Sequence, residues 1–370
     1  MKSYENGILQ VINLEEAKNK QFLIVDVISR HFSGEEIFQM GDLGIYPIGS
    51  RPRYTAKVER VLAEVFGTED VALVRGAGTG AIRILISVLL KSGGSVFLHK
   101  APVFSTTRET LDIFNIKKIF ADYNNLGDLT KTTQNNPDCK VLYIQHARQQ
   151  PEDIYDLKEL ISQIRYIRQD MIIVVDDNYC VFKTPKIGVE MGADYSTFSG
   201  FKLMGPEGIG IIVGKKDGIL KARQQNFSGG GQIQGWESME LLRSLVMTPV
   251  SFAVQNEQVD AICRRLKAGE VPGVVDAFIS NAQSRNIIVK WEKPVAKQIV
   301  EVSKKYGAAV YPVGSESRYE ILPLIYKVSK SFIQANPEMA QTTIRINPMR
   351  SGVDTVIRIL NDVAKDVLGN

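Results

Sequence analysis

The feature that most constrains the fold is an alternation of short apolar runs with amphipathic stretches through the middle of the chain. The runs are brief, β-branched and almost wholly apolar, which is typical of strands buried on both faces of a sheet. We predict strands at VALV (71–74), SVFLH (95–99), VLYIQ (141–145), MIIVVD (171–176), YSTFS (195–199) and GIGIIVG (208–214). Residues 79–90, 106–114 and 156–169 carry helical periodicity. The alternation predicts an α/β fold with a mainly parallel sheet.

Two parts of the chain depart from this alternation. The connection from residue 199 to 208 is too short for a helical crossover, so we expect the last strand of the sheet to run antiparallel. Beyond Gly235 a long helix follows, with an expected break near Pro249. A smaller α/β unit comes next, with strands at 286–292 and 342–347 and helices at 294–307 and 352–368.

These patterns predict two domains after an N-terminal segment. We assign residues 1–50 to that segment, 51–255 to a large domain and 256–370 to a small C-terminal α/β domain. We expect the boundary between the two domains to lie inside a helix, in the region 245–270, because no Pro/Ser-rich linker separates them.

Composition excludes several classes of function. A net charge of +4 in 370 residues, with the basic residues scattered, does not favour nucleic-acid binding. The cysteines (Cys139, Cys180, Cys263) and histidines (His31, His99, His146) are too dispersed for a disulfide framework or a metal site. No apolar run approaches the length of a membrane span, and the N-terminus lacks a signal-peptide pattern. We expect a soluble cytoplasmic protein.

Polar and glycine-rich residues follow four of the predicted strands. In parallel sheets, ligands bind beside the carboxyl ends of the strands. GAGTGA (76–81) follows the first strand, His146 the third, and Asp176-Asp177-Asn178-Tyr179 the fourth. Ser199 ends the fifth strand, and Lys202 comes three residues later. Together these residues resemble a binding site.

The glycine loop predicts an anion site at a helix N-terminus, where backbone N–H groups are available. Thr79 is a candidate to cap this helix and to donate its hydroxyl to a phosphate. Dinucleotide-binding folds use a similar G-x-G-x-x-A loop, but they place an acid about 20 residues further on. The corresponding segment here, SVFLHKAPVF, has no carboxylate. A single phosphate group therefore fits better than a dinucleotide.

Lys202 and Asp176 suggest the chemistry of this site. Lys202 stands between two buried strands and is flanked by apolar residues, a setting in which an amine loses its charge and becomes a nucleophile. The alternative is a surface lysine before a Gly-Pro turn. A carboxylate at Asp176 suits a protonated pyridine nitrogen, which keeps the ring of a pyridoxal cofactor an electron sink. Asp177 competes for this role, and strand alternation favours Asp176.

The order of these motifs resembles fold type I pyridoxal-phosphate enzymes. GAGTGAI, VVDDNY and TFSGFKLMGPEGIGIIVG carry the resemblance, which spans roughly residues 50–235. The lysine segment is similar to that of selenocysteine synthases, although Phe201 stands where those enzymes usually have an acid. The whole chain resembles the aminotransferase-like YhfS-like proteins. The resemblance implies pyridoxal 5'-phosphate as the cofactor, carried by Lys202 as a Schiff base.

Matching positions acquire implied roles around the cofactor. Ala77, Gly78 and Thr79 would hold the phosphate, with Ser199 as a second donor. Phe104 occupies the place where relatives often stack an aromatic ring, the alternative being a core phenylalanine.

Four more positions have implied roles. His146 would lie near the phenolic oxygen or the substrate, unless it is a capped strand-end histidine. Asn178 replaces the small residue common in aminotransferases and is a candidate to bond the phenolic oxygen. Arg345 matches the arginine that binds a substrate carboxylate, although the same strand position also suits an exposed arginine. Gly230, in the loop SGGGQIQG (228–235), matches a loop that reaches the partner subunit's phosphate, which implies a homodimer with shared active sites.

The resemblance implies an enzyme acting on an amino acid, an aminotransferase first and a lyase or β/γ-replacement enzyme second. A nicotinamide-dependent enzyme is an alternative hypothesis, which the absence of an acidic residue after the second strand does not favour. A non-catalytic relative is also not favoured, because neither Asp176 nor Lys202 is needed for packing.

Overall fold

The computed structural model describes residues 7–47, 49–148, 150, 152–281, 284–314, 316–329, 332–333 and 337–369. Within them, ten α-helices and eleven strands have assigned bounds. The helices are α1 (Leu14–His31), α2 (Arg53–Val65), α3 (Ala77–Leu89), α4 (Ser105–Ile113), α5 (Leu126–Asn135), α6 (Leu157–Ile167), α7 (Lys216–Gln225), α8 (Gly235–Lys267), α9 (Ala296–Ser303) and α10 (Val353–Leu368). The strands are β1 (Asp70–Arg75), β2 (Ser95–His99), β3 (Lys117–Ala121), β4 (Val141–Gln145), β5 (Ile172–Asp176), β6 (Tyr195–Ser199), β7 (Ile209–Gly214), β8 (Val274–Ser280), β9 (Asn286–Trp291), β10 (Leu324–Lys327) and β11 (Thr343–Asn347).

The first seven strands form one sheet in the order β1-β7-β6-β5-β4-β2-β3. The pairs within β6-β5-β4-β2-β3 are parallel, whereas β7 runs antiparallel to both β6 and β1. This confirms the predicted α/β class, the mainly parallel sheet and the antiparallel last strand. The apolar runs are buried because helices cover the sheet: α3 contributes Ala81, Ile82 and Leu85 to the same core as Val74 and Ile212.

The expected break near Pro249 is wrong, because α8 runs without interruption from Gly235 to Lys267 with Pro249 inside it. A proline removes one backbone donor from a helix, but packing on both sides can hold the helix together. Leu245, Phe252 and Ala253, which flank this position, are all buried.

Two compact units emerge from the contacts within the chain. One comprises Glu15–His146 and Tyr155–Pro249, and it contains the seven-stranded sheet. The other comprises Met1–Leu14, Ala147–Ile154 and Val250–Asn370.

The second unit has an antiparallel sheet in the order β10-β11-β9-β8. Helices α9 and α10 contribute Ile299, Ile357 and Leu360 to one apolar core with Ile287 and Ile344 of the sheet. The smaller C-terminal α/β domain is therefore present, although only its strands β9 and β11 were expected.

The described residues contain no helix long and apolar enough to cross a membrane. In the same part of the chain, no group of three or more His, Cys, Asp or Glu side chains is placed to hold a metal ion.

Candidate active site

Lys202 lies at the carboxyl end of β6, in a tight turn. Phe201–Leu203 form one turn of 3-10 helix, and Met204 follows with a positive φ of 61°. Gly200 holds the turn in place, because its N–H donates to the Ile209 carbonyl of β7 at 2.9 Å and its carbonyl accepts from the Leu203 N–H at 2.9 Å. The amine of Lys202 is therefore presented at the strand end by a fixed backbone.

Asp176 ends the neighbouring strand β5 and is buried. Its Oδ2 accepts a hydrogen bond from the Tyr143 hydroxyl at 2.9 Å. Its Oδ1 accepts from the backbone N–H of Asn178 at 3.0 Å and from the Asn178 side-chain amide at 2.7 Å. Burial raises the pKa of Asp176, and the Asn178 hydrogen bonds and the positive charge of Lys202 oppose that increase.

Asp177 has a different environment from Asp176. Its Oδ1 lies 2.7 Å from Nδ1 of His146, and its Oδ2 accepts from the Gly188 N–H at 3.0 Å. Both residues of the pair are buried. Burial lowers the pKa of His146, but Cys180 and Asp177 outweigh burial and raise the pKa to about 10. Of the two aspartates, Asp176 is the one that is hydrogen-bonded to Asn178, the residue that also lies beside Lys202.

Asn178 links three parts of the site. Its Oδ1 accepts from the Ser199 N–H at 3.1 Å and lies 3.4 Å from Nζ of Lys202, while its amide nitrogen donates to Asp176. A Cβ atom added at Gly78 would lie 2.6 Å from the Asn178 side chain, so the glycine loop packs directly on it. The predicted bond to a phenolic oxygen would come from the amide nitrogen, which has two hydrogens and donates to Asp176.

The glycine loop joins β1 to α3. Gly76 and Ala77 both have positive φ, 95° and 54°, and their N–H groups both donate to the Gly208 carbonyl, at 2.9 and 3.0 Å. Ala77 was predicted to hold the phosphate with Gly78 and Thr79, but its N–H is already hydrogen-bonded within the protein. The first turn of α3 leaves Gly78 and Thr79 to present backbone N–H groups to an anion.

The cap predicted at Thr79 is wrong. Gly76 is the N-cap residue, and Thr79 is the third residue of α3, within its first turn. The Thr79 hydroxyl lies 3.0 Å from the hydroxyl of Thr106 on α4. These two hydroxyls stand together at the start of α3.

Four other predicted site residues lie in the same unit as Lys202. Ser199 is buried at the end of β6, and Phe104 is half-buried at the N-cap of α4. His146 is 3% exposed and bonded to Asp177, as in the strand-end alternative. Gly230 lies in a turn of 3-10 helix, Gly229–Gly231.

The Gly230 loop is tied to the sheet from both sides. The Gln232 side-chain amide donates to the Ser50 carbonyl at 2.6 Å. Arg75, the last residue of β1, donates to the Gln232 carbonyl at 2.9 Å and to the Glu237 carboxylate at 2.7 Å. The glycines themselves leave space, because an added Cβ at Gly230 would meet no atom within 4 Å.

Arg345 belongs to the other unit, on β11. It is 5% exposed, which does not fit the exposed-arginine alternative. The carbon centre of its guanidinium lies 4.0 Å from the ring centroid of Tyr326, the residue opposite it on β10. Stacking of this kind fixes the plane of the guanidinium fork.

Sequence reasoning missed Tyr143, and it named Tyr179 among the strand-end residues without giving it a role. Tyr143 donates to Asp176, and the Tyr179 ring centroid lies 3.9 Å from Nζ of Lys202. Strand register would reveal Tyr143. Gln145 pairs with Asp176, and Tyr143, two residues earlier on β4, lies on the same face of the sheet as Gln145. The D-x-x-Y spacing after β5 was the only signal for Tyr179.

The chain is similar to known proteins along nearly its whole length. Residues 53–244 match the family model described as aminotransferase class-V, and residues 260–360 match the YhfS-like C-terminal domain. The uncharacterized protein YhfS of Escherichia coli (strain K12) is 46% identical over 355 residues, which cover 96% of this chain and 97% of that protein.

Solved structures agree with the sequence matches. The crystal structure of the pyridoxal-5'-phosphate dependent protein YhfS from Escherichia coli superposes with a TM-score of 0.95 at 45% identity, covering 98% of this chain and 99% of that one. Cystathionine gamma synthase from Xanthomonas oryzae pv. oryzae, in complex with cystathionine, has a TM-score of 0.73 at 14% identity, with 95% and 98% covered. The second likeness is one of fold.

Proposed function

The chain belongs to the aminotransferase class-V family and to the YhfS-like group of fold type I pyridoxal-phosphate-dependent enzymes, and from this premise we propose that Lys202 is the residue that bonds covalently to the cofactor. The observation that carries the proposal is the position of its amine. Nζ of Lys202 lies beside Asn178 and over the Tyr179 ring, at the strand ends where Asp176 is buried.

The residues present at these strand ends fit pyridoxal 5'-phosphate. We propose that the Gly78 and Thr79 N–H groups hold the phosphate at the positive end of α3, with the hydroxyls of Thr79 and Ser199 as further donors. Asp176 would accept a hydrogen bond from the ring nitrogen, because it is a buried carboxylate next to a cationic amine. Phe104 and His146 remain candidates for the surroundings of the ring.

When bound, pyridoxal phosphate supplies an aldehyde that reacts with amines and a ring that withdraws electrons. The residues of the chain bind and orient the cofactor and the substrate, and they move protons. Lys202 would provide an amine beside Asn178 whenever it is not bonded to the cofactor. We propose that this amine takes the proton from the α-carbon of the amino-acid substrate and delivers it to a second atom.

Transamination is the reaction that we propose to follow this proton transfer, since the class-V aminotransferase match spans residues 53–244, which include Lys202. Elimination or replacement at the β- or γ-carbon is the second candidate. The similarity of the lysine segment to selenocysteine synthases supports it, as does the fold shared with cystathionine gamma synthase. Both reactions begin with the same proton transfer by Lys202.

We propose two further contributions to binding. The guanidinium of Arg345 would bind the substrate carboxylate in a bidentate manner, supported by its fixed orientation against Tyr326. Gly230 and its loop would reach the phosphate site of a second copy in a homodimer, supported by the open space at its Cα. A cytoplasmic enzyme of amino-acid metabolism remains our proposal for its setting.

Exchange of the substrate α-hydrogen in deuterated water tests the role of Lys202. A panel of amino acids is incubated with the cofactor-loaded protein, and α-deuteration is followed by NMR. We expect deuteration of at least one amino acid by wild type and by the control Lys215→Ala, which alters a lysine paired with Asp194, and none by Lys202→Ala. Deuteration by Lys202→Ala at the wild-type rate would exclude Lys202 as the base. Amino transfer to a keto acid, compared with release of ammonia, then distinguishes transamination from elimination.

A further inference from the structure

Tyr179 combines two features at one residue. Its φ is +71°, a left-handed conformation that a non-glycine side chain adopts at a cost. The face of its ring is directed at the amine of Lys202, with 3.9 Å between Nζ and the ring centroid. Strained backbone conformations of this kind occur preferentially at active sites and ligand-binding sites.

Hydrogen bonds on both sides hold this backbone conformation. Asn178, just before Tyr179, is anchored through its N–H to the Asp176 carboxylate at 3.0 Å. Cys180, just after it, donates its N–H to the Asp177 carbonyl at 2.9 Å and accepts from Lys183 at 2.9 Å. These bonds fix the backbone of Tyr179 in the left-handed conformation, and this conformation directs the ring to Lys202.

An aromatic face attracts an ammonium group through its quadrupole, and the attraction is absent for the neutral amine. Asp176 is the charged group facing Lys202 from β5 and favours the same form. Tyr143 of β4 contacts the Asp176 carboxylate as a protonated hydroxyl, because burial raises its pKa well above the usual value. Asn178 contributes a neutral amide oxygen.

We propose that Tyr179 is a positioning residue that holds the Lys202 amine against its ring and stabilises the protonated form. The consequence for catalysis rests on the proposed function: the ring favours proton transfer from the substrate α-carbon to Lys202, because it stabilises the ammonium that this transfer forms. The contact itself is a property of the protein without cofactor, so it can be measured there.

Trace acetylation of the cofactor-free protein measures this contact. Isotopically labelled acetic anhydride reacts with neutral amines, and peptide mass spectrometry gives the extent of labelling of each lysine across a pH series. The variants are Tyr179→Phe, which keeps the ring, and Tyr179→Gly, which removes it and accepts a positive φ. Tyr179→Asn, a second residue type that tolerates this conformation, is run in parallel in case one variant folds poorly. Lys140, paired with Asp170 on the surface, is the internal control.

We expect the labelling midpoint of Lys202 to fall by about half to one pH unit in Tyr179→Gly and Tyr179→Asn, to stay unchanged in Tyr179→Phe, and to stay unchanged for Lys140 throughout. Equal midpoints in all four proteins would overturn the proposal. A fall in Tyr179→Phe as large as in Tyr179→Gly would also overturn it, by assigning the effect to the hydroxyl. Because no cofactor is present, these outcomes are independent of whether Lys202 bonds to pyridoxal phosphate.

Discussion

Replacing Gly78 by alanine tests how closely the glycine loop packs on the site. The new Cβ would lie 2.6 Å from both Nδ2 and Oδ1 of Asn178 and 3.0 Å from its Cγ. Carbon contacts this short do not persist, so either α3 or the Asn178 side chain must move. The side chain is tied by its bonds to Asp176 and Ser199, at 2.7 and 3.1 Å. A movement of the side chain therefore breaks bonds of the site, and a movement of α3 displaces the glycine loop.

The size of the effect follows from these contacts. Overpacking costs about 1–3 kcal/mol, and each disrupted hydrogen bond adds roughly 1 kcal/mol. Alanine recovers up to ~1 kcal/mol through its better helix propensity. We expect a net cost of about 2 kcal/mol. Cofactor-free Gly78→Ala can relieve the clash by shifting α3 or Asn178, whereas cofactor binding requires both in their original positions, so this cost raises the cofactor Kd by roughly 30-fold.

The assay is titration of cofactor-free protein with pyridoxal phosphate, followed by its visible absorbance. Gly34→Ala is the matched control, because its added Cβ would meet no atom within 4 Å. The double variant Gly78→Ala/Asn178→Ala completes a double-mutant cycle, and we expect its loss to be smaller than the sum of the single losses by about 1 kcal/mol. An affinity of Gly78→Ala equal to wild type, or strictly additive losses in the cycle, would refute the packing that we describe.

Three further predictions concern the surrounding residues. The pKa of His146, raised to about 10 in the fold from the ordinary 6.5, means that its stabilising pairing is complete below pH 6.5 and is lost as the pH rises through 10. Thermal melts should therefore show a steeper loss of stability between these pH values for wild type than for His146→Asn, and parallel curves would contradict the pairing. Arg345→Lys should raise KM for the amino-acid substrate about 10- to 100-fold through loss of the bidentate contact, with cofactor affinity unchanged; a loss of cofactor affinity instead would remove Arg345 from the substrate site. Asp176→Asn should lower kcat by at least about 100-fold in a steady-state assay, whereas Asp177→Asn should mainly lower the melting temperature, and the reverse pattern would assign the ring-nitrogen role to Asp177.

The central strands of the sheet were predictable because they are buried on both faces and therefore read as continuous apolar runs. Strand β3 did not carry this signal: its sequence KKIFA is partly exposed at the edge of the sheet, as Phe120 shows with 56% exposure. Helix α1 was missed for a related reason, because apolar residues such as Phe22 and Val25 lie on its exposed side and blur the amphipathic pattern.

In the site, strand-end positions were predictable and contacts made by loop conformation were not. Asp176 and Ser199 end their strands, as the sequence indicated. The use of the Ala77 N–H by Gly208 and the position of the Tyr179 ring both depend on positive φ values at non-glycine residues. Sequence patterns carry no signal for such values, because side chains adopt them only where the rest of the fold imposes them.

Borohydride reduction of the cofactor-loaded protein tests the central claim most directly. Reduction makes the covalent bond between a lysine and pyridoxal phosphate permanent, and peptide mass spectrometry then locates the pyridoxyl group. We expect a yellow protein whose visible absorbance shifts on reduction, with the pyridoxyl group on Lys202 and none incorporated into Lys202→Ala. A modified lysine other than Lys202, or equal incorporation into Lys202→Ala at neutral pH, would contradict the account.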